Sequence, residues 1–343
     1  MKAARRVAAR LTLLMVLVCG TTLAFAQHQL PPRPPERFPV APVTPAAGEI
    51  GVLPVQGNIY LFNLGDTNIV VSAGDDGILL VDAGPAEWSD RILRTLRDRF
   101  GNRPIRIIVN TSVAPESNGG NAALSKGGGP AGGGGGGGGG NAVRIIAHEN
   151  TLNKMNGATA GEKEFPLEML PTSTFFTKKK EIYFNGEAIE ILHAPSAHTD
   201  GDIMVFFRGS DVIAAGDVYS TAHYPIIDAK RGGTTQGHLD ALNRILDITV
   251  PRFNQQGGTM VIPQHGRLSN ESDVDDYRNW MTISKNFIQE MVDKGMTLEQ
   301  VKAAKPTLDF DGVFNSKKWT PTQFVEAVYN DLKAAAKNAP RSN

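Results

Sequence analysis

The sequence predicts an α/β fold with two β-layers sandwiched between helices. Three observations carry this expectation. Short β-branched runs separated by Gly-Asp and Asp-Asp-Gly turn signals open the folded part of the chain. Stretches with helical spacing then alternate with buried strands, and a second group of strands and helices repeats the pattern. With 343 residues the chain is long enough for one large α/β domain or two small ones.

Residues 1–26 read as a secretory signal. Lys2, Arg5, Arg6 and Arg10 form the charged region, 11–18 the apolar core, and Ala24-Phe25-Ala26 a small-x-small cleavage site. The expected location is therefore periplasmic or secreted, with no stable membrane insertion once the signal is removed. The single cysteine, Cys19, falls inside this segment, so the mature chain is expected to have no disulfide and no thiolate ligand. Residues 27–50 form a proline-rich leader without apolar periodicity. Acidic and basic side chains number 35 each, which gives no support for a nucleic-acid partner. A small-molecule ligand or substrate is the expected partner.

From about Gly51 the runs 59–62, 68–72 and 77–81 read as an antiparallel meander. Residues 86–100 read as a helix, with Ile92, Leu93, Leu96 and Phe100 on one face. The run 105–109 is apolar apart from Arg106 and suits a strand buried on most of both faces. A helix starts near Ala122. The stretch 127–141 holds twelve glycines and behaves as a flexible loop insertion; it lacks the Lys-Ser/Thr of a phosphate-binding loop. After a strand at 143–147, residues 162–177 look irregular, and Lys178-Lys179-Lys180 reads as a solvated turn. The runs 181–184, 188–192, 203–207 and 212–215 read as a second β-layer, followed by a helix at 237–246 and a strand at 260–263. Ser272-x-x-Asp275 reads as the capping box of a long helix that ends at Gly295, and Thr320-Pro-Thr-Gln323 as that of the last helix. The domain expected from this pattern spans 51–270, with a C-terminal helical extension over 271–343.

Three strand ends carry the residues most suited to chemistry. His193 and His198 lie in I-L-H-A-P-S-A-H-T-D-G-D, Asp217 in A-A-G-D-V-Y and His265 in V-I-P-Q-H-G-R. Imidazole and carboxylate on a rigid sheet suit zinc or another divalent ion. The V-D-A-G, V-N-T…N-G-G-N, A-H-T-D-G-D, G-D-V-Y and P-Q-H-G segments together resemble the metallo-β-lactamase superfamily over about 51–268.

That resemblance implies an αβ/βα four-layer sandwich, here with extra C-terminal helices, and a site that activates water with one or two metal ions. It also implies His198, Asp217 and His265 as metal ligands. The family's first motif, His-x-His-x-Asp-His, falls on Ser112, Ala114, Glu116 and Ser117, so all three histidine positions are degenerate. Neutral hydroxyls are poor zinc ligands, and zinc sites ordinarily take at least three protein ligands. The expectation is thus an attenuated or non-catalytic member with at most one divalent ion or none. The alternative is a metal-dependent hydrolase of a β-lactam, lactone or other ester or amide. It would use a single site at Glu116, Asp217 and His265, with Glu116 as ligand or base. Tyr219, His223 and Tyr224, just past Asp217, are the expected substrate contacts.

Overall fold

A computed structural model describes residues 46, 48–127, 142–157, 161, 163–250, 258–314 and 316–338. The expected signal, the leader up to residue 45 and the glycine run from 128 to 141 lie outside the described residues. All the elements below belong to the unit Val40–Asn343.

Two sheets form the interior. β1 (Gly51–Pro54), β2 (Ile59–Asn63), β3 (Asn68–Gly74), β4 (Gly77–Val81), β5 (Ile105–Val109), β6 (Arg144–His148) and β7 (Ser173–Phe175) make a seven-stranded sheet in sequence order. β1 to β4 form the antiparallel meander, and β4 to β7 run parallel. β8 (Lys179–Phe184), β9 (Glu187–His193), β10 (Ile203–Phe207), β11 (Val212–Ser220), β12 (Met260–His265) and β13 (Ser269–Asn270) make the second sheet, in the order β13-β12-β11-β10-β9-β8. It is antiparallel except between β11 and β12.

Each sheet is covered by helices on one side. Helix Ser89–Phe100 buries Ile92 and Leu96 against Phe62, Ile78, Leu80 and Ile108 of the first sheet. Helices Thr235–Ile248, Glu271–Asp293 and Pro321–Asn338 share one core with Leu192, Met204 and Ile213 of the second. β3 and β12 meet between the two sheets. There the Asn68 amide donates to Pro263 O at 2.8 Å and Gly266 O at 2.9 Å, joining the layers. The result is the expected four-layer sandwich, in which helices Thr235–Ile248, Glu271–Asp293 and Pro321–Asn338 cover the second sheet. No described helix is long and apolar enough to cross a membrane.

Several elements differ from the sequence reading. The long helix is capped by Asn270 and Asp273 rather than Ser272 and Asp275. Pairing of Asn270 with Met260 keeps that residue extended (φ −131°), which sets it up as the N-cap; Asp275 bonds Arg278 and Asn279 instead. The stretch expected to be irregular contributes β7, which satisfies the edge of β6. Lys179 begins β8, an edge strand whose alternate residues are exposed, a setting in which lysine discourages further pairing. β11 extends to Ser220, so Asp217 lies within a strand rather than beyond its end.

Candidate functional site

The segment after β5 is held by a framework of small and polar groups. Thr111 donates from its amide and its hydroxyl to the two oxygens of Asp82, at 2.7 and 2.8 Å. Asn110 donates to Ser117 O at 2.6 Å and to Asn121 Oδ1 at 3.0 Å, while the Asn121 amide returns a bond to Asn110 at 2.8 Å. Gly120 N donates to Gly84 O at 2.9 Å, and a Cβ at Gly120 would lie 2.3 Å from Ala83 O. Glycine is therefore required by this close approach of two backbones. Thus V-D-A-G and N-G-G-N, distant in sequence, are two halves of one clamp.

Asp217 enters from the second sheet. The pairing of β11 with β12 shifts register around Gly216, which has φ +56°, and such irregularities re-aim the side chain that follows. Ser112 Oγ donates to Asp217 Oδ2 at 2.8 Å. With its amide nitrogen facing Asp217, Gln264 donates to both carboxylate oxygens at 3.2 Å and accepts from Ser117 Oγ at 3.2 Å. Burial pushes the Asp217 carboxyl upward. The charges of His198 and His265, the Ser112 bond and Lys318 outweigh this and hold it below its ordinary value.

Both histidines are fixed by backbone carbonyls. His198 Nδ1 lies 2.8 Å from Ile226 O, and His265 Nδ1 lies 2.5 Å from Asp66 O. A ring nitrogen facing a carbonyl carries a proton, so in the neutral imidazole Nε2 is the acceptor and in the charged one it is a second donor. His265 Nε2 is 3.7 Å from Asp217 Oδ1. Burial lowers the His198 pKa, but Asp217 and Asp202 more than reverse this and raise it overall.

Glu116 does not stand alone. Lys318 Nζ donates to its Oε1 at 2.7 Å and lies 3.5 Å from His265 Nε2. Burial alone would raise the Glu116 carboxyl, whereas its bond to Lys318 brings it below the ordinary value. Lys318 was not singled out from the sequence: it is 202 residues from Glu116 and belongs to no motif. Glu116, His265 and Lys318 line a cavity of about 510 Å³ together with Leu64, Trp88 and Met169.

The expected substrate contacts fall elsewhere. Tyr219 and Tyr224 are buried in the core of the second sheet and its helices. Their hydroxyls are taken by Ser269 at 3.1 Å and Asp311 at 2.7 Å, and neither ring lines the cavity. Large aromatic area is used here for packing. His223 sits behind His265, with ring centroids 4.9 Å apart and Nδ1 2.8 Å from Tyr224 O. His148 and His193 stack on each other at 3.7 Å, away from this cleft, and His148 also accepts from Asn150 N as a helix cap.

The donor set does not fit a metal ion in this arrangement. Ser112, Ala114 and Ser117 supply no imidazole, Asp217 already accepts from Ser112 and Gln264, and Glu116 is paired with an ammonium. Among the described residues no three His, Cys, Asp or Glu side chains are grouped to hold a metal.

No protein-family model matches the chain, and no match was found among curated proteins. Solved structures do match. One is a stereoselective inverting sec-alkylsulfatase from Pseudomonas sp., at TM-score 0.62 and 15% identity over 85% of this chain and 52% of the other. A double mutant of that alkylsulfatase matches at 0.61 and 15% identity, over 82% and 50%. A metallo-β-lactamase from Pontibacter korlensis matches at 0.50 and 14% identity, over 68% of this chain and 99% of its own. The chain spans about half the length of the alkylsulfatase structures. It has the metallo-β-lactamase fold.

Proposed function

We propose that this chain is an exported protein of the metallo-β-lactamase fold that has lost metal-dependent hydrolysis and keeps a small-molecule cleft. Export is supported by the charged, apolar and small-residue pattern of residues 1–26. Loss of hydrolysis is supported by one observation above others: the carboxylate of Asp217 accepts on both oxygens from protein donors, Ser112 and Gln264. A bridging ligand needs free lone pairs directed at the metal. Here Ser112 and Gln264 take up most of them, and Ser117 turns inward to Ser112 and Gln264. The framework of Asp82, Thr111, Asn110 and Asn121 meanwhile keeps the cleft in shape. The cavity with its walls of Leu64, Trp88 and Met169 has the size and mixed lining of a ligand pocket. The likeness to an alkylsulfatase adds alkyl sulfate esters to β-lactams and lactones as ligands to test.

A second reading, a hydrolase with a single site at Glu116, Asp217 and His265, draws on the tautomer of His265, whose Nε2 is left as an acceptor facing Asp217. Metal analysis of protein purified without chelator separates the two. The proposal expects less than about 0.1 metal ion per chain, since a working site must be largely filled. Near-stoichiometric metal, lost in Glu116→Ala and His265→Ala, would overturn it.

A further inference from the structure

We propose that Lys318 is a built-in cation, taking the electrostatic place of a metal ion between Glu116 and His265. The inference rests on the reading above in that it names what balances the cleft once metal is gone.

The cleft brings two carboxylates, Glu116 and Asp217, close enough to repel each other, and His265 offers its Nε2 as an acceptor. Such a set favours a cation among it. Lys318 Nζ supplies that charge, 2.7 Å from Glu116 Oε1 and 3.5 Å from His265 Nε2. An exposed ion pair would merit little weight. Three observations set this one apart. The second neighbour of the ammonium, His265, is only 3% exposed. The cation sits on the residues that a metal would need. The chain around it is also fixed at both ends. Phe314 and Phe324 flank the Lys318 segment and are buried in one aromatic cluster, Phe324 stacked on Tyr224 at 4.9 Å and Phe314 packed on Trp280 at 4.7 Å. Between them Trp319 N donates to Ser316 Oγ at 3.1 Å, and Thr320 and Gln323 cap the last helix reciprocally. The residues on either side are anchored by packing, while the Lys318 side chain itself is 40% exposed.

An ammonium and a divalent ion cannot share Glu116 Oε1 and His265 Nε2. Lys318 and metal therefore exclude each other, and removing Lys318 should return metal affinity to a chain that otherwise has little.

The test uses the full chain and three variants, Lys318→Met, Glu116→Gln and the double variant, melted in chelator and in excess Mn²⁺ or Zn²⁺. In chelator, Lys318→Met should lower Tm by about 1–2 °C, the scale of a loss of up to about 1 kcal/mol in a chain of 343 residues. The double variant should recover most of that fall, because the acid left unpaired is gone too. Mn²⁺ or Zn²⁺ should raise the Tm of Lys318→Met but not of the native chain, with an affinity gain of about tenfold or more by titration. Lys318→Arg should behave like the native chain and guards against a general loss of folding. Independent effects of the two substitutions, or equal metal response with and without Lys318, would overturn the inference while leaving the metal-free reading intact. Stoichiometric metal in the native chain would instead overturn that reading.

Discussion

Restoring the missing imidazoles tests whether the cleft is intact apart from its ligands. The perturbation is Ser112→His, Ala114→His and Ser117→His in one chain. Ser112 and Ser117 are 1% and 0% exposed, so each new ring enters filled space. Overpacking costs about 1–3 kcal/mol per site. Loss of the Ser112 bond to an ionised Asp217 costs about 1.5–3 kcal/mol more. The metal-free variant should therefore be about 3.5–9 kcal/mol less stable than the native chain. Zinc at a thousandfold above its Kd returns about 4 kcal/mol. Calorimetric melts with and without zinc, together with zinc content after dialysis, read both halves of the prediction. A large fall in Tm without zinc, and recovery of about 4 kcal/mol of the lost stability with it, are expected. A variant that folds yet takes up no zinc and shows no zinc-dependent Tm would refute the reasoning, because it would place the defect outside the three substituted positions.

Other expectations follow from single contacts. His238 is fully buried, and burial lowers its pKa to about 3, so the folded chain holds it neutral. A depressed folded pKa contributes stability above the unfolded value of about 6.5 that is lost as pH falls toward the folded one. The stability difference between His238→Leu and the native chain should thus move in the variant's favour by up to about 1.4 kcal/mol per pH unit below 6.5; a pH-independent difference in urea melts would contradict this. Gly120→Ala should destabilise by about 1–3 kcal/mol, because its Cβ would meet Ala83 O and neither backbone can yield; equal urea midpoints would count against the clamp. Phe324→Ala should cost about 3–5 kcal/mol through the lost stack on Tyr224, and a cost below about 1 kcal/mol would mean that the cluster does not anchor this segment.

The architecture was legible because its signals are local. Gly77–Val81 and Ile105–Val109 are apolar runs of strand length, and the face of Val274, Tyr277, Met281, Ser284 and Ile288 repeats at helical spacing and is buried as that spacing demands. The loop framework was legible for the same reason, since glycines and asparagines mark tight turns wherever they fall. The misplaced capping box shows the limit of local reading. Ser272 and Asp275 have the right spacing, but strand pairing at Asn270 decides where the helix begins. Tyr219 and Tyr224 were misread because a polar ring beside a strand end looks alike in sequence whether it faces a cleft or a core. Lys318 was invisible for a stronger reason. Nothing in Lys317-Lys318-Trp319 differs from a solvated turn, and only the packing of Phe314 and Phe324 brings it to Glu116.

The 202 residues between Glu116 and Lys318 also bear on the order in which the molecule assembles. Closing a contact so far apart in sequence costs loop entropy that intervening structure reduces, so we expect it to close late. The expected order is that the acidic loop after β5 forms with its neighbouring strands and its counter-charge arrives when Pro321–Asn338 docks on the second sheet. During that interval Glu116 would lack its ammonium partner. Refolding followed by stopped flow should therefore show a late phase that weakens with Phe324→Ala and is sensitive to salt, since screening relieves the repulsion before Lys318 does.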